Sequence, residues 1–264
     1  MSRLKSAPFF SAMPVFTRAE YAQAVGRSSN DNIVTVMLAQ HLRAGNIRRV
    51  ARGVFASVPK HADAGKWVVD RFLAASRLRQ DGVIAYHSAL ELLGYAYTDG
   101  HEIQVIAPGQ PGLMETTDFT CRFVKPPRGF TLQDGVTVVD RLGLTIHVTT
   151  IERTIADCFD RFELAGGSEE LFNCLDFVPR IDATTLERHA RELHNAAALG
   201  ALGYWLECEQ TRLDVPVVVM DNLRKFVPRQ RRYALGAKPG SGRLAKGWNV
   251  ILPVDVIERH YEGL

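Results

Sequence analysis

Histidine, cysteine, serine and carboxylate side chains carry most protein chemistry, and in this chain their spacing argues against a reaction centre. His87 and Ser88 are neighbours, and adjacent residues do not set a base against its nucleophile. His189 and His194 stand five positions apart on a stretch with helical periodicity. That spacing turns them off a common face and makes them poor joint metal ligands. Asp99 with Glu102-Ile103-Gln104 follows the metal-dependent nuclease pattern of an aspartate and then Glu-x-Lys, except that Gln104 stands where the lysine would. Without that cation, water activation and charge stabilisation lose a main participant. Cys121, Cys158, Cys174 and Cys208 are scattered and form no CxxC pair, so buried thiols are expected rather than a zinc or redox site. The Walker, GxGxxG, HExxH and GxSxG patterns are missing. The expectation is a protein that is not an enzyme, binds no metal and uses no cofactor.

Basic and small polar side chains offer a different chemistry. Residues 1–58 hold eight basic side chains (Arg3, Lys5, Arg18, Arg27, Arg43, Arg48, Arg49, Arg52) and two acidic ones (Glu20, Asp31), a net +6 in a chain of net +3, which leaves the rest at −3. A basic segment on a slightly acidic body points to contact with a polyanion. Ser29, Asn30, Asn32 and Thr35 fall at the start of a predicted helix, where short polar side chains reach base edges in a major groove. Arg43, Arg48, Arg49 and Arg52 are placed to neutralise phosphates. A second basic stretch lies between Asn222 and Asn249, where Arg224, Lys225, Arg229, Arg231, Arg232, Lys238, Arg243 and Lys246 meet no acidic residue. It reads either as a second contact surface, for nucleic acid or an acidic protein, or as a solvated rim.

The elements that must position these groups follow from caps and periodicity. Phe16-Thr17-Arg18-Ala19-Glu20 is a capping-box start, with Phe16 set to staple onto Tyr21 and Gly26 ending the helix. After the polar turn 27–32, Ile33, Val34, Met37, Leu38, His41 and Leu42 trace one helical face, Asn32, Thr35, Gln40 and Arg43 the other, and Gly45 stops the helix. Ile47 to Ala51, a turn at Arg52-Gly53 and a return through Val54-Phe55 predict a basic hairpin. Two helices and a basic hairpin predict a winged helix-turn-helix over residues 1–60, with the hairpin as the wing.

Pro59-Lys60-His61-Ala62-Asp63 reads as a linker to a larger mixed α+β domain over residues 61–264. Trp67, Val68, Phe72, Ala75 and Leu78 mark a helix, and Tyr86 to Gly94 a short one. Strands are expected at 102–107, 121–125, 136–139 and 144–148, the last two joined by a turn at Arg141-Leu142-Gly143. A second capping box at Thr149 to Glu152 opens a helix running through Phe162 to Gly166-Gly167, with Arg153 set to pair with Asp157 at i, i+4. Further helices begin at Ser168, at Thr184 with Glu187, and at Ala198, and Trp248 to Leu252 closes the domain as a strand. Apolar runs are too short to span a bilayer and Met1 to Pro14 lacks a signal-peptide core, so a cytoplasmic location is expected.

The ordered segments resemble the AbiEi family, the antitoxin and transcriptional repressor of AbiE-type abortive-infection toxin–antitoxin systems. The matching pieces are 16–20, 42–55, His87-Ser88-Ala89-Leu90-Glu91-Leu92-Leu93-Gly94, Thr149 to Cys158 with its Ile-Glu-Arg-Thr core, Glu163 to Glu170 with Gly-Gly-Ser-Glu-Glu, and Leu202 to Glu207. The resemblance implies an N-terminal winged helix that binds inverted repeats upstream of its own operon. It also implies a C-terminal domain that neutralises a nucleotidyltransferase-like toxin in a type IV arrangement, where the two proteins need not form a stable complex. Two alternatives stand beside it: an adaptor that uses the winged helix for protein contacts, and a nuclease-like DNA-processing protein.

Overall fold

The computed structural model describes residues 3–60, 62–63, 65–127 and 129–259, and its elements mix α and β. His61 of the expected linker lies outside the described residues. The chain divides into two compact units, each assembled from separated stretches. The first takes in the residues up to 84 with 101–124 and 138–147, and the second 85–100, 125–137 and the residues from 148 on. Segment 1–60 lies within the first unit, which also contains strands from later in the chain.

The first unit opens with α1 (Arg3–Ala12), β1 (Val15–Thr17), α2 (Arg18–Ala24), α3 (Asn32–Arg43), β2 (Ile47–Ala51) and β3 (Val54–Ser57). Thr17 and Glu20 form the expected reciprocal capping box on α2. The strands make an antiparallel sheet in the order β1-β3-β2. Its core joins Phe16, Tyr21, Val34, Leu38, Ile47 and Phe55, with Phe9 and Phe10 packed against them from α1. Phe10 lies parallel to Tyr21 at 5.9 Å and Phe9 edge-on to it at 5.6 Å, so these apolar rings near the start of the chain form part of the core.

Beyond this sheet come α4 (Arg71–Leu78), β4 (Val83–Ile84), β5 (Glu102–Ile106), β6 (Gly112–Glu115), β7 (Thr120–Val124), β8 (Val136–Arg141) and β9 (Leu144–Thr149), the strands forming one sheet in the order β6-β7-β5-β4-β9-β8. The helix expected from Trp67 onward begins later. Asp70 is its N-cap, accepting from the Leu73 N–H, and Val68 is 82% exposed. The expected turn between β8 and β9 forms with both Leu142 (φ 54°) and Gly143 (φ 77°) left-handed, as a two-residue hairpin requires.

The second unit holds α5 (Tyr86–Leu93), α6 (Ile151–Asp160), a 3₁₀ turn (Phe162–Ala165), α7 (Ser168–Asp176), α8 (Ala183–Glu192), α9 (Ala196–Cys208), α10 (Val217–Arg224), β10 (Arg232–Tyr233), β11 (Gly242–Ala245), β12 (Val250–Pro253) and α11 (Val254–Glu258). Two expected caps shift. Thr150, not Thr149, caps α6, which leaves Glu152 free of capping; its carboxylate accepts the Asp182 N–H instead. Asp182, not Thr184, caps α8, and Glu187 pairs with Arg191. The helix expected to run through Phe162 stops at Asp160 and continues as the 3₁₀ turn.

At the centre of this unit Arg153 and Asp157 form the expected pair, wholly buried, with the guanidinium Nε 2.9 Å from both carboxylate oxygens. The same guanidinium donates to the Asp134 carbonyl and lies 3.6 Å from the Phe130 ring centroid. Gly135 (φ 59°) passes so close that a Cβ there would sit 2.8 Å from the Arg153 Cβ. Elsewhere α9 carries a glycine notch. A Cβ on Gly203 would lie 2.1 Å from the buried Trp248 ring, and one on Gly200 2.6 Å from Val250. The Trp248 indole N–H donates to Glu207 at 2.7 Å.

Burial raises the Asp157 carboxyl to about 6 in spite of the opposing Arg153 charge. Its folded state therefore holds a proton more tightly than the unfolded chain does. The associated stability is full below about pH 4 and is lost as pH rises through about 6. Urea denaturation should show wild type losing roughly 1–3 kcal/mol relative to Asp157→Asn between pH 4 and pH 7. Arg153→Met, which strands the carboxylate, should cost about 3–5 kcal/mol at neutral pH.

Candidate nucleic-acid interface

Helix α3 buries one face and exposes the other. Val34 and Leu38 point into the core, while Asn32, Thr35, Gln40 and Arg43 are exposed. Ile33 and Val36 are exposed too, at 45% and 55%. Ile33 therefore leaves the buried face assigned to it, and Val36 joins the polar stripe, since positions 32, 36, 40 and 43 share one side of a 3.6-residue helix. An exposed aliphatic group among amides and hydroxyls suits a thymine methyl beside base edges. Val36 belongs to neither face read from the sequence, because as an aliphatic residue off the apolar stripe it carries no polar or basic signal.

The mouth of α3 is organised by one residue of the polar turn 27–32. Asp31 is its N-cap, accepting from the Ile33 N–H at 2.8 Å and pairing with Arg27 at 2.9 Å. Those two groups hold its carboxyl below the usual range. Ser29 is half-buried, and its carbonyl, like that of Asp31, accepts from the Arg18 guanidinium. Asn30 is exposed at the same turn. Arg18 thus fixes the loop that presents Asn30 and Asn32.

In the hairpin the arginines part company. Arg49 is exposed, its guanidinium 5.8 Å from the Phe55 ring centroid, a distance that orients a cation without removing it from water. Arg52 is exposed at the turn before Gly53 (φ 79°). A register shift between Arg49 and Ala51 lets Val50 turn into the core. Arg48 does not share the exposed surface. It ion-pairs with Asp118 and donates to the Trp67 carbonyl at 2.6 Å, so its charge is already balanced within the first unit.

The second basic stretch is divided in the same way. Arg224 pairs with Glu207 and lies over the Trp248 ring, Arg243 pairs with Glu258, and the Lys225 ammonium donates to Asn222. Arg229, Arg231, Arg232, Lys238 and Lys246 are exposed and make no ion pair among the described residues. Of the reaction-centre candidates, Glu102 is held by Arg122 and Gln104 is buried on β5. His189 is buried beside Phe130 and Glu192 while His194 is exposed, so that pair shares no site. One grouping was not legible at all: His87, Glu170 and Cys174 bring their donor atoms within 4.8 Å of one another.

These features define a mixed α+β protein whose N-terminal helices and hairpin present polar and basic groups to solvent. Among the described residues no helix is long and apolar enough to cross a membrane. The chain is similar in structure to the RV2827C protein from Mycobacterium tuberculosis, with a TM-score of 0.67 at 16% identity over 98% of this chain and 94% of that one. The two share a fold. No family model and no curated protein matches the sequence.

The division of the arginines is measurable. Arg48→Ala and Asp118→Ala should each lower the stability of the first unit by about 1–2 kcal/mol in thermal denaturation. The double variant should cost little more than either single one, because the two share one interaction. Arg52→Ala should leave stability unchanged.

Proposed function

We propose that this chain is a DNA-binding transcriptional regulator that reads a duplex with α3 and steadies it with the β2–β3 hairpin. The observation that carries this reading is the exposed stripe Asn32, Thr35, Val36, Gln40 and Arg43, flanked by Arg49 and Arg52 outside the core. In these terms residues 1–60 are a winged helix-turn-helix, with α2 as first helix, α3 as recognition helix and the hairpin as wing. Asn30, Asn32 and Thr35 read base edges, Val36 meets a thymine methyl, and Arg43, Arg49 and Arg52 neutralise phosphates. Arg18, Ser29 and Arg48 are assigned to positioning. The resemblance of the ordered segments to AbiEi proteins supports the further assignment as autorepressor and antitoxin of an abortive-infection operon. Its operator would be an inverted repeat and its functional partner a nucleotidyltransferase-like toxin.

A second reading, a protein-interaction adaptor, draws on Ile33 and Val36, whose exposure on one helix gives that face apolar area. Mobility-shift titration of the full chain against its own upstream DNA and a scrambled duplex, at several salt concentrations, separates the two. A regulator binds the upstream duplex tightly and with steep salt dependence. Arg49→Ala should weaken binding to both duplexes and reduce the log–log salt slope by about 0.9. Asn32→Ala should cost about 1–3 kcal/mol of discrimination with little change on scrambled DNA. Equal weak binding to both duplexes, or none, favours the adaptor. Identical behaviour of the two variants would refute the division into reader and positioner.

A further inference from the structure

We propose that His87, Glu170 and Cys174 form a binding site for a thiophilic divalent cation of the zinc type. The three side chains come from two helices of the second unit, His87 from α5 and the other two from α7. Glu170 and Cys174 are one turn apart and so share a face. His87 Nε2 lies 2.9 Å and Cys174 Sγ 3.3 Å from the same oxygen, Glu170 Oε1. In a tetrahedral zinc site, bonds of about 2.0–2.3 Å put neighbouring donors roughly 3.3–3.8 Å apart. Shifts on the order of 1 Å therefore open the knot around a cation. Imidazole, carboxylate and thiolate are the donors zinc takes, and three of them leave a fourth position open.

The surroundings suit such a cation. The Tyr97 N–H donates to the Cys174 sulfur at 3.3 Å and the Thr98 N–H to Glu170 at 3.0 Å, so backbone donors already address both prospective anions. Hydrogen bonds from His87 and Thr98 outweigh burial and hold the Glu170 carboxyl below its usual range. A thiolate and a carboxylate together cancel a divalent charge, which removes the penalty of burying either alone. His87 and Cys174 are buried, while Glu170 keeps 13% exposure and Thr98 is exposed, giving an entry path.

Binding exchanges one proton for the cation. The metal-free Cys174 sulfur keeps its proton, directed at Glu170 Oε1. On binding, that proton leaves to solvent and the sulfur gives its electron pair to the metal. His87 moves its ring proton from Nε2 to Nδ1 and offers the Nε2 pair. Because Nδ1 has no hydrogen-bond partner among the described residues, the tautomer change breaks no other bond there. Glu170 binds as the carboxylate.

The test is a titration of chelator-stripped full chain with Co²⁺, following thiolate-to-cobalt charge-transfer absorption and proton release in weak buffer. The expected result is saturation at one equivalent, one proton released per cation, and displacement by Zn²⁺. The signal should persist in Cys208→Ser, which removes the exposed thiol, and vanish in Cys174→Ser. Glu170→Gln should weaken Co²⁺ binding on the order of tenfold or more with an unchanged circular dichroism spectrum. Absence of a thiolate band at excess Co²⁺, or its survival in Cys174→Ser, overturns the proposal. If Cys174→Ser fails to fold, unaltered Co²⁺ affinity in folded Glu170→Gln overturns it equally.

Discussion

The second unit depends on one decision made inside α6: to bury a full positive charge beside a full negative one. Neither Arg153 nor Asp157 is tolerable alone in that environment, and the pair is helped by a further bond from the guanidinium to the Asp134 carbonyl. The surrounding chain is shaped by that need. The Asp134 carbonyl turns inward to receive the guanidinium, Phe130 covers its face, and Gly135 omits a side chain so that the backbone can come close enough to bond Thr150. The Ile-Glu-Arg-Thr segment thereby receives a structural explanation. Its arginine organises a loop from earlier in the chain, its glutamate holds the start of α8, and Thr154 closes a hydroxyl bond to Thr149.

What the sequence made legible was local. The Thr17–Glu20 box, the glycine stops at Gly26 and Gly45, the 47–57 hairpin and the Arg153–Asp157 spacing all rest on residues at most a few positions apart, where propensity and capping decide. What stayed illegible was decided across the chain. Arg48 looks like its neighbour Arg49 until Asp118, far along the sequence, claims it. Strand β1 has only three residues and exists because β3 pairs with it. Asp31, rather than the neighbouring Ser29 or Asn30, caps α3, because of the three side-chain oxygens it is the Asp31 carboxylate that reaches the Ile33 N–H.

Formal charge misleads for the same reason. The run from Arg224 to Lys246 is uninterrupted in sequence, yet Glu207 and Glu258 take up the charges of Arg224 and Arg243. The electrostatic face that remains is made of basic side chains with no ion pair among the described residues. On the first unit these include Arg43, Arg49 and Arg52, and on the second Arg229, Arg231, Arg232, Lys238 and Lys246. The histidine–glutamate–cysteine knot is the converse case, in which residues far apart in sequence become neighbours because the His87 side chain of α5 reaches the Glu170 carboxylate of α7.

The glycine notch on α9 has a consequence for how the chain is made. A helix rich in alanine, leucine and glycine emerges from the ribosome with its flat side bare, and the tryptophan that fills it, bonded to Glu207, comes 41 residues later. At synthesis rates of about 5–20 residues per second, that interval lasts on the order of seconds. Throughout it the nascent chain carries an apolar groove with no occupant. The second unit is therefore most vulnerable to association with other chains just before its last sheet is complete, and a chaperone that waits on this protein would wait there.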